Sequence, residues 1–225
     1  MSVQDTSEAV MKAVFPAFDG FGLAIPHASD SIAAKRMLDV AVAGLLMVLL
    51  SPLLALVSLA VALDSRGPVL FCQKRTGLNG KTFPIFKFRS MHVLEDGAEV
   101  KQASEGDSRV TRVGRIIRKL SLDELPQLVN IIAGDMSLVG PRPHAVAHDI
   151  YYGAALSNYA VRQQVKPGIT GWAQVNGARG ATPTLDVMQQ RVDLDAWYIA
   201  NASLMLDLAI LARTPLEVLR TRNAV

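Results

Sequence analysis

The chain is poor in the residues that build disulfides and most metal or nucleotide motifs. It has one cysteine, Cys72, among 225 residues, so no disulfide can form within it and no multi-cysteine metal site is available. His144 and His148 are four positions apart but have no third ligand nearby, and we therefore assign no zinc site. The sequence also contains no P-loop and no glycine-rich dinucleotide motif.

The excess of positive charge is small, with 23 Lys and Arg against 20 Asp and Glu and a sequence pI near 9.1. An anionic membrane surface, a phosphate-bearing substrate or a nucleic acid would each account for such an excess. Because no nucleic-acid-binding module is recognisable, we expect no nucleic-acid partner. We find no internal repeat and no sign of a second globular domain.

The N-terminal stretch is unlike a secretory signal. Residues 1–31 contain acids, few bases and no apolar core of the signal-peptide type, and the first long apolar run begins only near Val40. We interpret residues 1–31 as a mobile N-terminal tail.

One long apolar segment dominates the sequence. No charged residue occurs between Val40 and Leu63. A straight helix of this length would measure about 36 Å, more than the bilayer core of about 30 Å. Half of the residues are hydrophobic and the mean hydropathy is +0.26, which is high for a soluble domain. The segment therefore predicts a helix within a membrane.

Ser51-Pro52 interrupts this segment near its middle. Proline removes a backbone hydrogen bond and clashes with the preceding turn, so the helix is expected to break there. Bases flank both ends, namely Lys35, Arg36, Arg66, Lys74 and Arg75. Because basic flanks favour the cytoplasmic side, we predict a re-entrant helix–break–helix over residues 32–66. The alternative is a single span with a proline kink.

Residues 67–225 are predicted to form a small, mostly helical cytoplasmic domain with a few short strands, of α+β class. Alternating residues in VLFCQKR and KTFPIFKFRSM predict two strands joined by a turn at 77–80. The predicted helices cover 109–120, 122–133, 144–164, 185–199 and 203–220. The basic stripe of 109–120 either faces solvent or lies on lipid headgroups as an interfacial helix.

The motif Ser121-Leu122-Asp123-Glu124 has two interpretations. In the first it is a capping box, in which the Ser121 hydroxyl and the Glu124 carboxylate satisfy free amides at a helix start. In the second, Asp123 and Glu124 form a magnesium–phosphate site, because magnesium takes one or two carboxylates plus substrate phosphates. An aspartate can also attack phosphorus as a covalent nucleophile.

Several bases could meet phosphate beside these carboxylates. Arg142 lies between two prolines, whose rigid backbone suits bidentate binding of an anion. Lys87 and Arg89 share one face of a predicted strand, and Arg118 lies five positions before Asp123. Each could equally be an exposed base on a loop, a strand edge or a solvated helix face.

The two tryptophans carry less information. Trp172 and Trp197 are interpreted as packing residues, with stacking on a base or a position at the membrane interface as alternatives.

Long ordered stretches carry a resemblance to a known family. They are KRMLDV, the break at Ser51-Pro52, GPVLFCQKRTGLNGKTFPIFKFRSM, RVTRVGRIIRKLSLDELPQLVNIIAGDMSLVGPRP and VKPGITGWAQVNG. From about Ala34 to Leu219 the chain resembles the bacterial sugar transferase family, the monotopic polyprenyl-phosphate phosphoglycosyl transferases.

The resemblance implies an enzyme with Mg2+ at the cytoplasmic face of the bacterial inner membrane. Asp123 would attack the sugar-bearing phosphate of a UDP-sugar, UMP would leave, and polyprenyl phosphate would then take the sugar phosphate from Asp123. Glu124 would hold Mg2+ with Asp123 or assist a proton or charge step. The resemblance places Arg118 and Arg142 near the phosphates, and Asp195 at an acidic position of unassigned role.

The resemblance also bears on the sugar. NGARGATPTLDVMQQRV is similar to members that transfer glucose-1-phosphate at the start of exopolysaccharide synthesis. Ala181 and Ala202 depart from their pattern, which leaves galactose-1-phosphate as the alternative. A different class of function, a membrane-anchored scaffold for glycan enzymes, would not require the Asp123-Glu124 pair. Whether the chain forms a homodimer is left open.

Overall fold

The computed structural model describes residues 29–92 and 106–220. Residues 1–28 of the predicted tail lie outside this part. Most of the polar stretch at 95–108, whose composition predicts a loop, also lies outside it. The last three tail residues belong to the first helix.

The apolar segment forms two helices rather than one. Helix α1 spans Ser29–Leu49 and α2 spans Ser51–Asp64. Pro52 lies in the first turn of α2, where its missing N–H costs no helical hydrogen bond, and the Ser51 hydroxyl donates to the Val48 carbonyl at 2.8 Å. The predicted break is thus confirmed, one residue ahead of Ser51 at Leu50.

Neither helix alone is long and apolar enough to cross a bilayer. Within the described residues, the pair Ile32–Leu49 and Ser51–Asp64 meets the length and composition of a membrane segment only when taken together, with a bend of 63° between the two. This is the geometry of a broken span or of a re-entrant loop.

The predicted hairpin is present. Strand β1 spans Leu70–Thr76 and pairs antiparallel with β2, Thr82–Phe88, with Gln73 opposite Ile85. The connecting turn, Leu78–Gly80, places Asn79 and Gly80 at φ values of 55° and 75°, which asparagine and glycine tolerate best.

The next helices are shorter than the sequence pattern predicted. Helix α3 spans Arg112–Lys119, because the Thr111 side chain accepts a hydrogen bond from Gly114 N at 2.9 Å and starts the helix there. A 3₁₀ turn over Leu122–Glu124 separates it from α4, Gln127–Ala133. Pro126 stands at the start of α4, since proline is poorly tolerated inside a helix.

After α4, the described part of the chain contributes one parallel strand pair and four α-helices. Strand β3 (Ser137–Val139) pairs with β4 (Gly168–Thr170), and the connection contains α5 (Val146–Ala155) and a 3₁₀ helix at Tyr159–Gln164. The helix predicted over 144–164 is therefore divided. The chain continues through α6 (Trp172–Val175), α7 (Leu185–Asn201) and α8 (Leu204–Leu219).

Three apolar clusters hold the described elements together, two smaller ones around Tyr159 and Ile117 and one large core. The large core includes the fully buried Ile131 of α4 and side chains of α1, β2, β3, α7 and α8. Its buried members include Ala43, Phe83, Ile85, Leu128, Met136, Leu138, Tyr198 and Ile210. The predicted mixture of mostly helices with a few short strands is confirmed.

The first turns of α1 are attached to this domain by three polar side chains. Lys35 pairs with Asp207 of α8 at 2.6 Å, and Arg36 Nη1 donates to the Ile131 carbonyl at 2.6 Å. The buried Asp39 carboxylate accepts a hydrogen bond from Leu138 N at 2.9 Å. The flanking bases that suggested a cytoplasmic helix end are therefore also structural.

Arg89 attaches the other end of the helix pair. Its guanidinium is buried and donates to the Ser65 carbonyl, to the Val61 carbonyl at 3.2 Å and to the Pro68 carbonyl at 2.5 Å. These donors satisfy carbonyls that the end of α2 leaves without helical partners. The prediction that Arg89 binds phosphate beside Lys87 is wrong, because β2 ends at Phe88 and the guanidinium is committed to α2.

Asn130 joins α4 to the hairpin. Its side chain is fully buried, accepts a hydrogen bond from Phe86 N at 3.0 Å and donates to the Pro84 carbonyl at 2.8 Å. The Asn130 amide therefore satisfies backbone groups on the edge of β2 that faces away from β1, where no further strand of the described residues pairs with it.

We expect Asn130→Ala to lower the free energy of unfolding by about 2–3 kcal/mol, because it leaves a backbone donor and a backbone acceptor without partners. Urea unfolding in detergent micelles, followed by circular dichroism, measures this change. Asn201→Ala is the matched control, since Asn201 is exposed and donates only to the Trp197 carbonyl. Equal midpoints for the two variants would contradict the assigned role.

Candidate active site

The two carboxylates lie in the 3₁₀ turn between α3 and α4. Ser121 precedes them in the left-handed conformation, with φ of 56°, which reverses the chain after α3. Its hydroxyl accepts a hydrogen bond from Arg179 Nη2 and makes none to the turn's amides. The capping-box interpretation is therefore wrong, because a cap residue needs extended backbone to reach the amides that follow.

Glu124 is held by two bases. Arg142 binds it with both guanidinium nitrogens, Nη1 at 2.9 Å from Oε2 and Nη2 against Oε1, while Lys87 Nζ lies 2.8 Å from Oε1. Burial alone would raise the pKa of Glu124, but the charges and hydrogen bonds of Arg142 and Lys87 outweigh it and hold that pKa well below its usual range. Glu124 is thus an ionised, fixed carboxylate.

Asp123 has a different environment although it is the adjacent residue. It is only 7% exposed, and within the described residues its carboxylate makes no hydrogen bond. Burial and, next, the charge of Glu124 raise its pKa to about 6, against the opposing charges of Lys87, Arg118 and Arg142. Two neighbouring carboxylates with pKa values shifted in opposite directions are typical of sites in which the two have separate roles.

The bases predicted from the sequence converge here, with one exception. Lys87 reaches the site from β2 and Arg142 from the loop after β3, and both contact Glu124. Arg118 lies half-buried in the last turn of α3, close enough for its charge to lower the pKa of Asp123. Arg89 is absent from the site for the reason given above.

Close backbone packing fixes the loop that carries Arg142. Gly140 N donates to the Thr170 carbonyl at 2.9 Å, and Gly168 N donates to the Pro141 carbonyl at 2.9 Å. A Cβ at Gly140 would lie 2.4 Å from the Lys166 carbonyl oxygen, so only glycine fits. The guanidinium therefore projects from a backbone that cannot shift easily.

Arg162 holds the backbone of the same loop, and the sequence did not predict it as a residue of the site. It is buried, donates from Nη2 to the Arg142 carbonyl at 2.7 Å and pairs through Nε with Asp195 at 2.7 Å. Asp195 thus acts on the site through Arg162. His144 and Tyr159 complete this cluster, and burial, together with the charge of Arg162, holds the pKa of His144 well below its usual range.

Arg179 is a second residue that the sequence analysis missed. It donates to Ser121, and the charges of Glu124 and Asp123 act on its guanidinium. Gly177 and Gly180 flank it with φ of 90° and 91°. The two glycines could have indicated Arg179 as a site residue. Arg142 was predicted because prolines restrict the backbone on both sides of it, and turn glycines bracket Arg179 in a similar way.

A magnesium ion suits part of this donor set. Within residues 29–92 and 106–220, no group of three or more His, Cys, Asp or Glu side chains could hold a metal. The Asp123 carboxylate has free acceptor capacity, whereas both Glu124 oxygens already bind Arg142 or Lys87. This fits magnesium that keeps several waters and takes one carboxylate together with substrate phosphates.

Chemically, the site can hold an anionic group beside the Asp123 carboxylate, which can act as a nucleophile. Three bases and the Arg179 guanidinium surround one neutralised and one unpaired carboxylate. Such an arrangement attracts phosphate groups and stabilises charge that develops on them.

Comparison with known proteins agrees with this description. A family model described as bacterial sugar transferase matches residues 30–221. A UDP-glucose:undecaprenyl-phosphate glucose-1-phosphate transferase of Caulobacter vibrioides is 57% identical over 190 residues, which cover 84% of this chain and 71% of the relative.

Two further relatives widen the comparison. A UDP-N-acetylgalactosamine-undecaprenyl-phosphate N-acetylgalactosaminephosphotransferase of Aeromonas hydrophila is 42% identical over 80% of this chain and 42% of its own length. The exopolysaccharide production protein PSS of Rhizobium leguminosarum is 41% identical over 80% of this chain and 92% of its own. The chain spans only 36–42% of four longer relatives named as glucose transferases.

The family match covers the hairpin, the carboxylate turn and the loop that carries Arg142, and several relatives exceed 40% identity over most of the chain. The chain belongs to the bacterial sugar transferase family.

Proposed function

We propose that this protein transfers a sugar-1-phosphate from a UDP-sugar to polyprenyl phosphate and releases UMP. The observation that carries the proposal is the buried, unpaired Asp123 carboxylate beside a Glu124 that two bases neutralise. A fixed aspartate in a ring of phosphate-binding bases suits attack on phosphorus.

In the first step, an Asp123 oxygen attacks the sugar-bearing phosphorus of the donor. The bond from that phosphorus to the bridging oxygen breaks, and UMP leaves with the electron pair. A sugar phosphate remains on the carboxylate. Arg142, Lys87 and Arg118 lie where they can stabilise the charge that builds up on the phosphate oxygens.

In the second step, a phosphate oxygen of polyprenyl phosphate attacks the same phosphorus. The bond to Asp123 breaks, the carboxylate is restored, and polyprenyl diphosphate sugar is released. Because the pKa of Asp123 is about 6, the carboxylate is largely ionised near pH 7 and is still a good leaving group.

Magnesium is the proposed cofactor, with Asp123 as its protein ligand and Glu124 available only if a base releases it. When bound, the ion would neutralise phosphate charge and make phosphorus more electrophilic.

Glucose is the proposed sugar. The relative with 57% identity is named as a glucose-1-phosphate transferase, whereas the relative named for N-acetylgalactosamine is 42% identical. The PSS relative is named for exopolysaccharide production, and we propose that this chain likewise initiates synthesis of a surface glycan.

We further propose that α1 and α2 enter one leaflet of the inner membrane from its cytoplasmic face and return to it. Large apolar side chains are exposed along both helices, for example Val48 at 71% and Leu63 at 79%. Lys35, Arg36 and Asp39 tie the start of α1 to the domain, and Arg89 ties the end of α2 to the same domain. Because both ends are attached to one compact body, they belong on the same side of the bilayer.

A membrane-anchored scaffold remains the competing function. The purified chain, incubated with UDP-glucose, Mg2+ and polyprenyl phosphate, separates the two. The transferase releases UMP, and a scaffold does not.

We expect Asp123→Asn to lower UMP release more than about 1,000-fold, because asparagine cannot form the phosphate ester. Intact-protein mass spectrometry of wild type with UDP-glucose and Mg2+ should show a hexose-phosphate adduct that Asp123→Asn lacks. Asp186→Asn, an exposed change of the same chemistry, should keep wild-type turnover. A wild-type rate in Asp123→Asn would refute the covalent route.

The same substitution should stabilise the fold at neutral pH. Since the folded chain binds the Asp123 proton more tightly than the unfolded chain, ionisation costs stability as pH rises through about 6. Without divalent cations, Asp123→Asn should exceed wild type by about 2–3 kcal/mol at about pH 8, and by almost nothing near pH 4. Urea unfolding at both pH values tests this, and a variant less stable than wild type at pH 8 would contradict it.

The topology can be tested with single cysteines on a Cys72→Ser background. Ala33→Cys before the pair and Arg66→Cys after it should both react with an impermeant maleimide only when it reaches the cytoplasmic side of oriented vesicles. Cys72 itself is exposed and, in the wild-type chain, reports the side on which the domain lies. Labelling of positions 33 and 66 from opposite sides would show a span instead.

A further inference from the structure

A polar cleft lies between the segment that follows α6 and the C-terminal part of α8. Its volume is about 350 Å³, within the range of about 300–1,000 Å³ typical of small-molecule sites. The space behind the Arg142 loop measures about 20 Å³, enough for roughly one water. Of these two spaces, only the cleft accommodates a ligand of nucleotide size.

Arginine supplies most of the charge in this cleft. Arg179, Arg213 and Arg220 line it together with one carboxylate, Glu217, which pairs with Arg220 at 2.7 Å. Arg213 donates to the Val175 carbonyl at 3.0 Å and stacks over the Trp172 ring at 5.6 Å. Within the described residues, neither Arg179 nor Arg213 forms a salt bridge with a carboxylate, so their charge is available to an anion.

Arg179 connects the cleft to the carboxylates. One of its nitrogens donates to Ser121, two positions ahead of Asp123, and another lies 3.4 Å from the Glu217 carbonyl at the cleft wall. A diphosphate that presents one phosphorus to Asp123 can therefore extend past Arg179, so that its second phosphate meets the arginines.

We propose that this cleft binds the nucleoside monophosphate half of the donor, the part that leaves as UMP. The inference rests on the proposed function, since it assumes that Asp123 attacks the sugar-bearing phosphorus. It assigns the nucleotide to α8 and the segment after α6, and the sugar phosphate to the Asp123 side of Arg179.

The lining favours a nucleotide over the lipid phosphate. Gln174 and Asn176 contribute amides, and Arg179, Arg213, Glu217 and Arg220 contribute charge. A polyprenyl chain needs a continuous apolar surface beside its phosphate, whereas Val175 is the one large apolar residue among those that line this cleft. A ribose and a base, in contrast, carry hydrogen-bonding groups that such walls can satisfy.

Calorimetric titration of UMP into the full chain in detergent micelles tests the proposal without turnover. We expect Arg213→Gln to weaken UMP binding about 10-fold through loss of a charge-assisted contact. Arg220→Gln should weaken it about 2–5-fold, and Glu217→Gln should tighten it by a similar factor, because the two changes remove opposite charges from one cleft. Arg220 is exposed, so its replacement leaves the packing intact.

The controls isolate the phosphate contact. Arg115→Gln, on the exposed face of α3, removes the same charge elsewhere and should leave UMP binding within about twofold of wild type. With uridine as the probe, which has no phosphate, the three cleft variants should also bind within about twofold of one another. Cleft variants that bind UMP like Arg115→Gln, or a weaker affinity in Glu217→Gln, would overturn the assignment.

Steady-state kinetics separates this inference from the proposed reaction. In Arg213→Gln the KM for UDP-glucose should rise about 10-fold, while the KM for polyprenyl phosphate stays within about twofold. A rise in the lipid KM instead would assign the cleft to the acceptor. If wild type turns over but all cleft variants bind UMP as wild type does, the assignment of UMP to the cleft is refuted and the proposed reaction stands. If wild type shows no turnover, the proposed reaction itself is refuted.

Discussion

The double ion pair of Glu124 is the interaction on which the site depends. It joins Lys87 of β2, the 3₁₀ turn and Arg142 of the loop after β3, three segments that are far apart in the sequence. Since a half-buried carboxylate would otherwise be costly, both bases are held in place as they neutralise it. Asp123 is then left as the buried carboxylate without a hydrogen bond in the described part of the chain, beside the two bases that the ion pair fixes.

Polar side chains also attach the helix pair α1–α2 to the rest of the domain. Arg89 satisfies the last carbonyls of α2, and Asp64 at the end of α2 accepts a hydrogen bond from Val113 N at the start of α3. At the other end, Asp39 binds the backbone of β3. The helix pair is thereby part of the domain that carries the carboxylates, and its position fixes theirs relative to any lipid surface it enters.

Local signals predicted much of this fold. The break at Ser51-Pro52 and the turn after β1 follow from the restricted backbone of proline and the freedom of glycine and asparagine, which act within a few residues. The sequence could not tell that Arg89 would reach the end of α2 or that Arg162 would hold the Arg142 carbonyl, because those contacts span 24 and 20 residues. The sequence predicted that Lys87 and Arg142 are anion-binding bases, but it did not predict that both would bind the Glu124 carboxylate.

The residues of the Ser121–Glu124 motif could serve either a helix cap or the site, and the structure shows that they do not form the cap. Ser-x-x-Glu normally satisfies the amides of a helix start, and here Ser121 instead adopts a left-handed conformation and binds Arg179. A capped turn would pair the Glu124 carboxylate with an amide and leave Arg142 and Lys87 without their partner. The chain gives up that local stabilisation, and it keeps Asp123 buried at a pKa of about 6. Both features lower stability at neutral pH, which is expected where selection acts on reactivity rather than on folding.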